Sequence, residues 1–165
     1  MSSKTLHRDI LYQVIEHSSP SELMKLCRTN KDIHESCKKR VYLLAKSKLN
    51  GKILSKLGVK AQIAKMVQDY SYAQTMRSQI KIMKIITQKV APIIMSIVRN
   101  VIVSRDLHES RKTLNSMIPI MDKLSRKLNI ELLKAKTDAK RKTLLESGNK
   151  MQRYLDEMKY YQMYI

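Results

Sequence analysis

The chain is 165 residues long and carries 33 Lys+Arg against 14 Asp+Glu, a formal charge of +19. That length holds one compact domain, or one with a small appended module, and excludes a large multidomain enzyme. Apolar residues make up 43%, enough for a packed core, while three Gly and three Pro are too few for a turn-rich β-sandwich or a Gly-loop enzyme. An all-α fold is expected, with polyanions or acidic protein surfaces as partners.

In chain order, Ile10, Leu11, Val14 and Ile15 have the 3-4 spacing of a first helix. Ser18-Ser19-Pro20-Ser21-Glu22 breaks it and starts a second, with Ser19 as N-cap, Pro20 at the first position, and Leu23, Met24, Leu26 and Cys27 inward. Thr29-Asn30-Lys31-Asp32 reads as the turn capping a third helix. That helix would carry Ile33, Cys37, Val41 and Leu44 inward and Lys38, Lys39 and Arg40 partly outward. Residues 1–49 are therefore read as a three-helix module, and 50–165 as a basic helical bundle packed with it as one unit.

Asn50-Gly51 and Gly58 punctuate the chain, and Ile53, Leu54 and Leu57 between them suggest a short helix. The 4-3-4-3 spacing of Val59, Ile63, Met66, Tyr70 and Ala73 predicts a long helix continuing through Met76, Ile80, Met83, Ile86 and Val90. Pro92 either kinks it or opens a new helix running to about Arg105. Lys81, Lys84, Lys89 and Arg99 interrupt the apolar stretch 80–103 and leave a longest charge-free run of nine residues. A bilayer span needs about 20, so no transmembrane segment is expected.

From Asp106 to Ser147 the pattern is that of a single amphipathic helix, bent at Pro119. Leu114, Ile118, Met121, Leu128, Leu132, Ala135 and Ala139 share a seam that Ser125 interrupts and Leu124 flanks. Asp122 with Arg126 and Asp138 with Lys142 read as surface pairs. The seam closes within the monomer or pairs with another chain, leaving the oligomeric state open. Ser147-Gly148-Asn149 then ends the helix, and a last one carries Met151, Tyr154, Leu155, Met158, Tyr161 and Ile165.

Leu6-His7-Arg8-Asp9-Ile10-Leu11, Val14-Ile15, Pro20-Ser21-Glu22-Leu23, Leu26-Cys27 and Thr29-Asn30-Lys31 together make residues 6–44 resemble an F-box. His7 stands where that family has a proline, and Ile33 where it has Trp or Phe. The resemblance implies a three-helix surface, formed here by Leu6, Ile10, Leu11, Ile15, Leu23 and Leu26, that docks the adaptor subunit of a cullin-type ubiquitin ligase. Degenerate openings of this kind in Lys- and Ile-rich chains are similar to those encoded by large DNA viruses, which implies a virion component contacting a capsid or assembly lattice. No leucine-rich, propeller or ankyrin period follows to read a ligase target.

Charge is the strongest functional signal. Between Glu35 and Asp106 lie 15 Lys+Arg and one acid, Asp69, so fourteen of the nineteen excess charges fall in that window. Lys38, Lys39, Arg40, Lys46, Lys48, Arg77, Lys81 and Lys84 are the candidate contacts to phosphates or acidic protein faces. Lys outnumbers Arg by 23 to 10, which suits charge neutralisation better than bidentate base reading. Lys38-Lys39-Arg40 and Lys140-Arg141-Lys142 have the composition of nuclear localisation clusters.

Tyr154, Tyr160, Tyr161 and Tyr164 are candidate interface aromatics; equally, Tyr154, Tyr161 and Met158 close the bundle. Cys27 and Cys37 read as reduced thiols of an intracellular protein, in cytoplasm, nucleus or virion, since no signal peptide precedes them. Cys27, His34, Cys37 and His17 lack zinc-ligand spacing, so no metal or other cofactor is expected. His34 and Cys37 have no orienting acid, and Gly51-Lys52 is not a phosphate loop. The sequence reading is therefore a non-enzymatic structural or scaffold protein, with a ligase adaptor and a sequence-independent nucleic-acid binder as the alternatives.

Overall fold

The computed structural model describes residues 10, 13–28, 31–49 and 51–165, with 31 and 32 in backbone only. Among them there is no strand, and the fold is all-α. Helices run over residues 13–17 (α1), Pro20–Leu26 (α2), Lys31–Lys48 (α3), Lys56–Thr75 (α4) and Gln79–Ile85 (α5). A π-helical turn, Ile86–Val90, leads into α6 (Ala91–Val103), followed by α7 (Leu107–Lys134) and α8 (Asp138–Tyr164).

α6 is the axis of the molecule. Ile94, Met95, Ile97 and Val98 are buried, and the helix packs against α3, α4, α7 and α8. α7 and α8 form an antiparallel hairpin that contributes Leu114, Met121, Leu128, Met151, Leu155 and Met158 to the same core. α2 packs on α8, so Ile15 and Leu23 join this core rather than a separate one.

Several local features follow the sequence pattern. Ser19 caps α2 in a reciprocal box, its Oγ accepting from the Glu22 amide while the Glu22 carboxylate accepts from the Ser19 amide at 2.8 Å. Cys37, Val41 and Leu44 are the inner face of α3, and Asp122 pairs with Arg126 at 2.8 Å. The π turn answers the question posed by Pro92. Proline has no amide hydrogen and its ring collides with the carbonyl four residues back, and here the ladder slips so that the Ala91 amide donates to the Ile86 carbonyl.

Four expectations are corrected. Residues 52–55 are not helical: the helix starts at Lys56, where Ser55 caps it by accepting from the Gly58 amide, and the Leu54 amide donates to the buried Asn100 side chain at 2.7 Å. The stripe from Val59 to Val90 is divided at Met76, whose extended backbone ends α4 and lets α5 fold back on it. Unbroken, that helix would be about 48 Å long and could not lay both halves on one small core. The third region ends at Lys134, where Thr137 caps a new helix by accepting from the Lys140 amide, so Ala139 lies exposed in α8 and Asp138 pairs with Arg141 rather than Lys142. Ser147-Gly148-Asn149 therefore lies inside α8, where Gly148 faces Leu128 and Asn129 of α7.

Cys27 and Cys37 are joined in a disulfide, not held as thiols. Their Cα atoms are 6.1 Å apart, within reach of the bond, because Cys27 caps α2 just where Cys37 of α3 passes it. The thiol-based argument for a reducing compartment falls with this pairing. By length and composition the run Gln79–Val103 also suffices to cross a membrane, with mean hydropathy 1.4 over its most apolar window. Of that window 61% is buried in the bundle, the placement of a core helix.

Denaturing alkylation without reductant is expected to leave both cysteines unlabelled. Replacing both by serine should lower unfolding stability by about 2–3 kcal/mol in urea titrations, as loss of a short cross-link does. Full labelling before reduction would contradict the pairing.

Candidate functional site

Along α8 the inward stripe Met151, Leu155, Met158 and Tyr161 includes one acid, Glu157, whose side chain is 2% exposed. The α6 axis brings Arg99 to it, and the last turn of α3 brings Lys48. Arg99 donates from Nε to Oε1 at 2.7 Å and from Nη2 to Oε2 at 2.9 Å. Lys48 Nζ donates to Oε2 at 2.8 Å, and the Tyr161 hydroxyl donates to Oε1 at 2.7 Å. Burial pushes the Glu157 carboxyl upward. The hydrogen bonds and charge of Arg99, joined by those from Lys48 and Tyr161, outweigh it and hold the group below the ordinary carboxylate value. Burial, then the Glu157 charge, raise Tyr161 far above an ordinary phenol, so it remains a donor.

This cluster floors a cleft. Lys48, Arg99, Glu146, Asn149, Lys150, Arg153, Tyr154 and Glu157 enclose about 520 Å³. A second hollow of about 200 Å³ shares Lys48 and Arg99 and adds Lys52, Leu54, Gln62, Ser96 and Asn100. Lys52 reaches it through the turn at Gly51, whose φ of +74° suits glycine, and through the Leu54–Asn100 hydrogen bond. Asn100 also donates to the Ser96 carbonyl, and Gln62 donates to the Ser96 hydroxyl.

The cations singled out by sequence are carried by separate elements, α3 and α5 with the residues just before it. Lys38 is exposed and pairs with Glu35, Lys39 is exposed, and Arg40 is half-buried, donating to the Glu16 carbonyl at 2.7 Å. Lys46 lies 5.9 Å from the Tyr42 ring, which Arg105 covers from 4.1 Å. Arg77, Lys81 and Lys84 are exposed on and before α5, which packs on α4 and α8, whereas α3 packs on α6 and α8. Lys48 alone of the predicted set belongs to the cleft. Lys52, Arg99, Lys150 and Arg153 were not singled out by sequence reading, and the signal that could have found them was Glu157, the acid on an otherwise apolar stripe.

Burial decides between the two aromatic readings. Tyr160 and Tyr161 are fully buried and Tyr164 nearly so, leaving no ring of these three for a partner; Tyr154 is half-buried at the cleft. Tyr160 donates to the Cys37 carbonyl at 2.7 Å, and Tyr164 packs on His34. Of the F-box-like positions, Leu6 and Leu11 lie outside the described residues, Ile10 is exposed and Leu26 half-buried. Ile15 and Leu23 are buried core side chains. Among the described residues no group of three His, Cys, Asp or Glu is placed to hold a metal ion. No family model matches the chain, and neither a curated protein nor a solved structure matches it.

Glu157→Gln should destabilise the protein by about 3–5 kcal/mol, because two cations lose their buried counter-charge. The depressed carboxyl also fixes the sign of the pH dependence. Its contribution is present above the unfolded value near 4.5 and is lost as pH falls through the lower folded value. Urea titrations across pH 2–6 should therefore show an acid limb in the native protein that is reduced in Glu157→Gln.

Proposed function

We propose that the protein is a non-enzymatic scaffold or assembly protein whose basic surface docks on polyanions, either acidic protein faces or nucleic acid. One observation carries this reading: the positive charge is not neutralised inside the molecule. Among the described residues Lys46, Lys52, Arg77, Lys81, Lys84, Lys89, Lys150 and Arg153 have no carboxylate within 4.0 Å. Ordinary surfaces intersperse both signs, and a field of one sign this extended attracts counter-charge from outside. Glu157 supports the non-enzymatic part, since both of its oxygens are taken by Arg99, Lys48 and Tyr161. Such a carboxylate is an anchor rather than a proton carrier.

A place in a virion extends the proposal through the resemblance of residues 6–44. The adaptor reading draws on the same resemblance, and the burial of Ile15 and Leu23 weighs against it.

Binding should show the salt dependence of charge neutralisation. Affinity for random duplex DNA, single-stranded RNA or polyglutamate is measured at a series of salt concentrations. If about four charges are neutralised, affinity for the nucleic acids should fall roughly 100-fold between about 50 and 200 mM salt, linearly in log-log form. Failure to bind any of the three at low salt would overturn the reading.

A further inference from the structure

The cleft over Glu157 differs from the scattered surface lysines in being concave, preorganised and rich in unused donors. Arg99 has five N–H donors and spends two on Glu157, while Lys48 has three and spends one. The carboxylate fixes both cations in place, so a ligand does not have to order them. Lys150 and Arg153 stand exposed one turn apart on the α8 rim, and Lys52 continues the row through the adjoining hollow.

Charge in the cleft favours an anion. Lys48, Lys52, Arg99, Lys150 and Arg153 outnumber Glu146 and Glu157, leaving a local excess of three positive charges. The shape favours a strand over a protein face. Arg99 is only 15% exposed and lines the recess, so it is met by a group that enters it, as the phosphates of a chain lying there would. The half-buried Tyr154 ring in the wall has Lys150 Nζ over it at 5.9 Å from its centroid, so an aromatic face and a phosphate-binding cation stand side by side where an unpaired nucleotide would lie.

Resting on the polyanion reading above, we propose that this cleft is a binding site for the phosphodiester backbone of single-stranded nucleic acid, held by Lys48, Arg99, Lys150, Arg153 and Lys52. Recognition is of phosphate and is independent of base sequence, because these contacts are cationic and not directed to base edges.

The test uses the full chain and a fluorescein-labelled 15-nucleotide deoxythymidine strand in anisotropy titrations at low salt. Lys150→Glu/Arg153→Glu is compared with Lys112→Glu/Lys123→Glu, which makes the same change in net charge at exposed positions of α7. Removing two phosphate contacts and reversing their charge should weaken binding about 30-fold or more, against roughly 3-fold for the α7 pair. In the unaltered protein the bound strand should protect Lys150 and Lys52 from amine acetylation more than Lys112, a readout that needs no variant. Equal weakening by the two pairs, or equal acetylation of those lysines, would overturn the cleft as the site. So would tripolyphosphate competing as well as the strand, since the ligand would then be a small polyphosphate. Binding of polyglutamate without binding of the strand would overturn this inference and leave the broader function standing, whereas binding of neither would remove both.

Discussion

One carboxylate in the interior of a strongly basic protein organises this structure. Taking Glu157 out of water costs several kcal/mol, as does withdrawing Arg99 beside it, and the arrangement is tolerable only because both oxygens are fully bonded. Arg99 comes from α6, Lys48 from α3 and Tyr161 from α8 itself, so the network adds directional bonds between three helices that also pack through apolar side chains. It also determines the exterior. Because Glu157 draws Arg99 and Lys48 to one place, the surface directly above carries their unused donors, and α8 adds Lys150 and Arg153 at its edge.

The N-terminal helices are tied to this frame by directional contacts in addition to apolar ones. The Cys27–Cys37 bond holds α2 to α3, and the Tyr160 hydroxyl reaches from α8 to the Cys37 carbonyl, so the disulfide region and the Glu157 network share one helix. Asn100 performs a similar service for residues 51–55, whose backbone has no helix to satisfy it. The segment that carries Lys52 is thus positioned by a buried amide rather than left to wander. A basic molecule with few acids places its scarce polar anchors where the helices cross.

Much of the fold was legible because helix periodicity and caps are local. The Ser19 cap, the inner faces of α3, α7 and α8, and the disturbance at Pro92 could all be read from residue spacing. What was not legible depended on tertiary neighbours. Nothing in the spacing of Val59 to Val90 says that the stripe must be cut at Met76, since both halves keep the same period and only the limited length of the core divides them. Gly148 has the appearance of a helix stop and is instead accommodated at the α7–α8 contact, while the weaker Thr137-Asp138 signal is the real start. The tyrosine-rich end looked equally suited to an interface and to the core, and burial places Tyr160 and Tyr161 inside. The cleft was the least legible feature, since its cations come from positions 48, 52, 99, 150 and 153. Glu157 was its one sequence trace, a lone acid among buried apolar residues.

The central role of that acid is open to direct measurement by a double-mutant cycle in urea denaturation, pairing Glu157→Gln with Arg99→Met. If the two side chains form the interhelical anchor, removing the second should cost far less once the first is gone, with a coupling of about 2–3 kcal/mol between them. Additive effects, with coupling below about 0.5 kcal/mol, would show that α6 and α8 hold together without the pair and would contradict its place at the centre of the fold.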